Sequence, residues 1–352
     1  MNIPALFQLM NEKEASDLHV KTDSVPVVRV HGKLLPLDTD PITQENLLAV
    51  FKEMTSKEQQ TDFLANKELD FSYQTREGLR FRVNASLNKG QLCLAFRKVS
   101  SEIPSIDELG LPPICEELAL KKQGLVLVTG PTGSGKSTTL ASMINYLNQT
   151  EARRIVTVED PIEYIHLDQK CFITQRELGS DTTSFAAAAK HALRQDPDVI
   201  LVGEMRDPET MAACITAAET GHLVMSTLHT NNAPQSIDRI VDSFPPHQQN
   251  QIRMQLSLTL LAVLSQRLIT RLDGGGRAAA MEVMVSNNAI RNLIRDGKTH
   301  QMATVMQTGI DQGMQTMEWA LKRLYQDGLI SIDDALAHAQ DEKSFQTSLT
   351  KL

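Results

Sequence analysis

Aromatic side chains make up only 4% of the 352 residues, and basic residues do not outnumber acidic ones: 35 Lys and Arg stand against 43 Asp and Glu, a net charge of −8. A protein that coats nucleic acid needs a basic surplus, and one that tracks single strands needs aromatic platforms, so both readings fit poorly. There are four cysteines (Cys93, Cys115, Cys171 and Cys214), and no two are spaced as C-x-x-C. A structural zinc site therefore has no support, and four reduced thiols are the simplest expectation. No window holds 18 consecutive apolar residues, which argues against a transmembrane helix. The N-terminal stretch has no basic region before its short apolar part and no small-residue cleavage site, the marks of a signal peptide. Glycine (18) and proline (14) are too few for a disordered or collagen-like chain, and 41% hydrophobic residues suffice for a substantial core.

The length allows two domains. Residues 1–100 read as mixed α and β. Asp17–Val20 and Val27–Val30 are short strand patterns, Leu34–Leu37 is a further extended run, and Thr43–Phe63 has helical spacing. Arg80–Ala85 alternates, with Arg80, Arg82 and Asn84 on one face and Phe81, Val83 and Ala85 on the other. Leu92–Arg97 alternates too and sets Arg97 opposite Leu92, Leu94 and Phe96. Residues 101–112, rich in Ser, Pro and Gly, are the linker candidate. In 113–270 four short apolar runs (Gly124–Thr129, Arg154–Val158, Asp198–Val202, His222–Leu228) alternate with helical stretches. That alternation predicts a parallel sheet covered on both faces. From Gln248 onward the pattern is almost all helical, interrupted by the Asp273–Gly276 turn, and 271–352 is expected to be a helical C-terminal region.

Gly130-Pro131-Thr132-Gly133-Ser134-Gly135-Lys136-Ser137 matches G-x-x-x-x-G-K-[ST], with a strand before it and a helix, including Thr138, after it. Such a loop turns backbone N–H groups around a polyphosphate. Lys136 reaches the β- and γ-oxygens, the Ser137 hydroxyl can ligate Mg²⁺, and the helix directs its positive end at the anion. Hydrolysis further needs a positioned water. Two strand ends offer carboxylates for it: Glu204 after Asp198–Gly203, and the group Glu159, Asp160 and Glu163. Glu204 follows the longer apolar run and is the first choice; the other acids remain alternatives. His222 and His229 bracket one strand at its two ends and on opposite faces, poor geometry for one metal. His229 lies at the C-terminal edge and could sense the γ-phosphate.

The segments GPTGSGKST, TVEDPIEY, DPDVILVGEMRDPET and TAAETGHLVMSTLHT resemble, in order, the Walker A, aspartate-box, Walker B and histidine-box segments of the type II/type IV secretion ATPases. The nearest members are the type IV pilus retraction ATPases, the PilT family. The likeness extends to ASDLH, RFRVNA, Gln175–Glu177 and Ala289–Arg295 (AIRNLIR), the last associated with retraction rather than extension. The resemblance implies an α/β protein: a PAS-like α+β N-terminal domain, then a RecA-like P-loop ATPase domain ending in a helical region. It also implies a homohexameric ring motor that retracts type IV pili and supports twitching motility, using ATP and Mg²⁺. By the same resemblance Arg82 and Arg97 would bring positive charge to the nucleotide, beside Glu204, Glu163 and His229 as catalytic candidates. Ser137, with Glu204 and Glu159, would face the metal. The implied partners are an inner-membrane platform protein, met at the cytoplasmic face of the membrane, and an accessory paralogous ATPase; no nucleic acid is implied. Two departures stand out. The Walker B run ends in Gly203-Glu204 without the terminal aspartate of many P-loop enzymes, and SLNKGQLCLAFR after the RFRVNA strand has fewer basic residues and glycines than the family suggests.

An assembly or secretion ATPase of the same superfamily would carry a longer N-terminal region and often a tetracysteine insert, neither of which this sequence has. A nucleotide switch that does not hydrolyse would not need Lys136, Ser137 and Glu204 together.

Overall fold

The computed structural model describes residues 3–30, 32–75 and 77–339, together with 342, 345, 346 and 349. The chain divides into two compact units, Met1–Ser101 and Glu102–Leu352. Each carries one sheet, and the whole is mixed α/β.

The first unit contains α1 (Ile3–Glu12), β1 (Asp17–Lys21), β2 (Val27–Val30), β3 (Lys33–Pro36), α2 (Gln44–Met54), α3 (Lys57–Asn66), β4 (Glu68–Gln74), β5 (Arg80–Asn88) and β6 (Gln91–Lys98). Its strands form an antiparallel sheet in the order β3-β2-β1-β6-β5-β4. One face is apolar: Leu18, Val20, Phe81, Val83, Leu94 and Phe96 are buried against α1 residues such as Phe7, whose ring stacks on Phe81 at 4.1 Å. The single helix expected over Thr43–Phe63 is two. Ser56 accepts from the Gln59 N–H while the Gln59 side chain accepts from the Ser56 N–H, a capping box that starts a new helix at Lys57. The Thr55 hydroxyl meanwhile closes the preceding turn on the Phe51 carbonyl (2.5 Å).

The second unit runs α4 (Ile114–Ala119), β7 (Gly124–Thr129), α5 (Lys136–Thr150), β8 (Arg154–Glu159), β9 (Phe172–Glu177), α6 (Phe185–Ala192), β10 (Val199–Val202), α7 (Pro208–Glu219) and β11 (Leu223–Leu228). It continues with α8 (Ala233–Asp242), α9 (Pro246–Thr259), β12 (Leu260–Thr270), β13 (Arg277–Val285), α10 (Asn288–Asp296), α11 (Met302–Thr308), α12 (Met317–Gln326) and α13 (Ile332–His338). The sheet order is β13-β12-β7-β11-β10-β8-β9, parallel except for β13. Residues of β7 alternate between two cores: Leu125 and Leu127 pack on one face, Val126 and Val128 on the other. Both faces are therefore covered, as the near-continuous apolar runs require.

One expectation is overturned. The region after Gln248 is not helical throughout: α9 ends at Thr259, and β12 and β13 form a hairpin that extends the sheet. The Asp273–Gly276 turn is the hairpin's connection, where the Asp273 carboxylate accepts from the Gly275 N–H (2.8 Å). Leu260–Thr270 and Arg277–Val285 are rich in Leu, Ala and Met, residues that favour helix in isolation. Pairing with β7 and burial on both faces outweigh that preference. The helical part of 271–352 begins only with α10.

Among the described residues, no helix is long and apolar enough to cross a membrane.

Candidate nucleotide site

The order β7-β11-β10-β8 places four C-terminal strand ends side by side, where open α/β sheets bind ligands. The glycine loop leaves β7, Glu204 follows β10, His229 follows β11, and Glu159 ends β8. These groups line one cavity of about 390 Å³, with Glu163 and Tyr164 on its rim.

The loop is shaped by backbone geometry that side chains resist. Gly130 has φ +145°, and a Cβ there would lie 2.3 Å from the Gln266 carbonyl oxygen on β12. Gly135 has φ +87°, with a Cβ position 2.9 Å from the Gln266 Nε2. Gln266 in turn accepts from the Thr139 hydroxyl (2.6 Å), so β12 backs the loop and α5 together. The misread hairpin is thus part of the site's frame.

Lys136 is buried, and its Nζ donates to the carbonyls of Gly130 (2.9 Å) and Pro131 (3.1 Å). Burial lowers its pKa, an effect opposed by the nearby carboxylates of Glu204 and Glu163. No side chain caps the N-terminus of α5, and the buried Ser134 hydroxyl has no hydrogen-bond partner. Uncapped helix amides, an orphaned buried hydroxyl and an ammonium on one side of a cavity fit a polyphosphate. Ser137 is exposed at the first turn of α5, and the Thr138 hydroxyl meets the Tyr164 hydroxyl at 3.0 Å.

Glu204 is buried, its side chain 11% exposed. Its Oε1 pairs with Arg206 Nη2 (2.5 Å), while Oε2 lacks a hydrogen bond and lies 3.6 Å from His229 Nε2. The strand ends that present these groups are tied together: Gly203 N–H donates to the Val158 carbonyl (2.8 Å) and the Thr227 hydroxyl to the Gly203 carbonyl (2.7 Å). His229 is half exposed; partial burial and then Lys136 lower its pKa, with Glu204 acting against them. His222, at the other end of β11, bonds the Ala217 carbonyl (3.0 Å) and the Thr220 hydroxyl (3.2 Å) behind α7 and does not line the cavity.

The acids after β8 differ sharply. The Glu159 carboxylate accepts from the Thr157 hydroxyl (2.6 Å) and the Gln175 amide (3.1 Å), and burial raises its pKa against those bonds. Glu163 and Asp160 are exposed, and Glu163 acts on Lys136 across the cavity. Among the described residues no cluster of three His, Cys, Asp or Glu could hold a metal by itself.

Arg82 and Arg97 lie in the first unit, directly opposite each other on β5 and β6 and exposed. On its other side Arg97 faces Asp17, and its Nε donates to Oδ1 at 2.9 Å.

Four residues around the cavity were not singled out by sequence: Gln266, Arg277, Tyr164 and His166. Gln266 and Arg277, whose guanidinium reaches the Gly133 carbonyl at 3.4 Å, were hidden by the helical reading of their strands. Tyr164 closes the TVEDPIEY segment and could have been noticed there. Burial pushes the pKa of His166 down to about 4, so it is neutral near pH 7.

The model of the "Type II/IV secretion system protein" family matches residues 2–337. The chain is 45% identical over 345 residues to the type IV pilus retractation ATPase PilT of Pseudomonas aeruginosa, covering 98% of this chain and 100% of that one. It is 47% identical over 319 residues to a twitching motility protein of Neisseria gonorrhoeae, covering 91% and 85%. A crystal structure of the pilus retraction motor PilT with bound ADP superposes with a TM-score of 0.90 at 45% identity, over 99% of each chain.

Proposed function

The chain belongs to the type II/IV secretion system protein family, and from that premise we propose that it is the ATP-hydrolysing motor of type IV pilus retraction. It is a P-loop ATPase. The observation that carries the chemistry is the pairing, across one cavity, of a buried Lys136 in an uncapped glycine loop with a buried Glu204 whose Oε2 accepts no hydrogen bond.

In this reading Lys136 exchanges the Gly130 and Pro131 carbonyls for phosphoryl oxygens. The first amides of α5 and the Ser134 hydroxyl complete the cradle. Glu204 orients and activates the attacking water through Oε2, and Arg206 holds its other oxygen. His229 contacts the same carboxylate and reports on the γ-phosphate, while Glu163 adds a second acid near Lys136. Mg²⁺ would be held by the Ser137 hydroxyl, with Glu204 close by, and would neutralise charge on the β- and γ-oxygens. The second cavity, about 800 Å³ between residues 107–113, β12 and α12, adjoins the loop at Gly135 and Thr138 and has room for the base and ribose.

The finer organisation is part of the proposal. The first unit is PAS-like and the second RecA-like, and six copies form a ring. Arg82 and Arg97 supply positive charge to the nucleotide during turnover, from the same copy or from a neighbouring one. The ring works at the cytoplasmic face of the inner membrane against a platform protein, with or without a paralogous ATPase. Deleting the gene tests the direction of work: loss of twitching with excess surface pili supports retraction, whereas loss of pili means assembly.

A further inference from the structure

The loop 160–166, which carries Glu163 and Tyr164 to the cavity, is fastened to the edge strand β9 by side chains. Gln175 makes three hydrogen bonds: its Nε2 donates to Glu159 Oε1 (3.1 Å) and to the Tyr164 carbonyl (2.8 Å), and its Oε1 accepts from the His166 N–H (2.9 Å). Only a primary amide offers two donors and an acceptor from one position. Two residues on, the buried Glu177 accepts from the Ile162 N–H (3.1 Å). The Glu159 carboxylate is held by Gln175 and by the Thr157 hydroxyl (2.6 Å). Ile162, Tyr164 and His166 are thus all tied to one strand, and Glu163 stands between them in the chain. Within this loop Glu163 is the acid that lines the cavity with Lys136 and acts on it electrostatically.

We infer that Gln175 is a positioning residue for hydrolysis: through Glu159 and the Tyr164 and His166 backbone it sets where Glu163 stands over the phosphate loop. Glu159 is then the anchor of this loop and not a cation ligand. A carboxylate that is largely withdrawn from water is tolerated when hydrogen bonds satisfy it, and Thr157 and Gln175 donate to it here. The tie also reaches α5, because Tyr164, whose carbonyl Gln175 holds, meets Thr138 with its hydroxyl. The inference rests on the nucleotide-site reading and on Glu163 contributing to turnover.

The test uses the full-length protein and steady-state ATP hydrolysis, with ADP binding measured separately. Gln175→Ala, and the isosteric Gln175→Glu, which keeps the acceptor for His166 but loses both donors, should each lower kcat by about ten- to a hundredfold. ADP affinity should stay within about twofold, because the cradle itself is untouched. Combining Gln175→Ala with Glu163→Gln should give a kcat within about twofold of the slower single variant, since both act through the same carboxylate. Glu159→Ala should lower kcat without raising the Mg²⁺ concentration for half-maximal activity. A folded Gln175→Glu protein with kcat within twofold of the unsubstituted enzyme overturns the inference. So does a double variant that loses the product of the two single effects, and so does a tenfold rise in Mg²⁺ requirement for Glu159→Ala. If Glu163→Gln alone leaves kcat unchanged with Gln175 intact, the underlying reading of Glu163 fails, which is a distinct result.

Discussion

Glu282 lies on β13 with 4% of its surface exposed, and its Oε1 accepts from the N–H of Ala233 (2.8 Å) in the first turn of α8. That helix begins four residues after His229, so Glu282 joins the added hairpin to the segment carrying the histidine. Burial raises its midpoint from 4.5 to about 7; the Ala233 N–H, Arg267 and Ser265 act against the rise and Glu318 adds to it. Between those two pH values the folded protein holds a proton that the unfolded chain has released, so stability falls as pH climbs through the window. At 1.36 kcal/mol per pH unit the ionised folded state is destabilised by up to about 3 kcal/mol above pH 7. Glu282→Gln retains an acceptor oxygen for Ala233 and removes the charge. We expect it to be more stable than the unsubstituted protein at pH 8, by an amount approaching that figure, and nearly equal to it below pH 4.5. Urea unfolding of the second unit, followed at several pH values with the slope m compared between proteins, measures the difference. A stability difference that does not change with pH, or a variant less stable at pH 8, would refute the argument.

Three further outcomes are expected. Lys136→Ala should lose nucleotide binding, whereas Glu204→Gln should retain it and lose about a hundredfold or more in kcat, because the cradle survives and only the water-handling carboxylate is gone; binding and turnover assays on the two proteins separate these effects. Asp17→Ala should destabilise the first unit by about 1 kcal/mol, since Arg82 and Arg97 then stand opposite each other on adjacent strands without the carboxylate that faces Arg97; chemical denaturation reads it, and no change would mean solvent already screens the pair. Arg291→Ala with Arg295→Ala on α10 should leave most ATPase activity but impair twitching, as Ile290 and Ile294 on the buried face are unchanged; normal twitching at normal protein levels would remove the case for a role of this helix in transmitting force.

The phosphate loop, the strand before it and the helix after it were legible as sequence because the chemistry is local: glycines at positive φ, a lysine and a hydroxyl, all within eight residues. Four of the parallel strands, β7, β8, β10 and β11, were legible too, since burial on both faces leaves short continuous apolar runs bounded by helical stretches. The Leu260–Val285 hairpin was not. Its residues favour helix when isolated, and only pairing with β7, Leu260 with the distant Leu125 and Ser265 with Thr129, makes them strands. With it went Gln266 and Arg277, which no local pattern marks.

The acids after β8 show the same division at the scale of single side chains. Glu159 and Glu163 stand four residues apart and look equivalent as letters. Their difference arises from β9, where Gln175 donates to Glu159 and Glu177 holds the Ile162 N–H, while Glu163 stays exposed and acts on Lys136. Sequence determined which residue types and turns were available near the loop, because backbone geometry and periodicity act over a few residues. Tertiary structure decided which carboxylate faces the lysine, because that depends on donors brought from a distant strand.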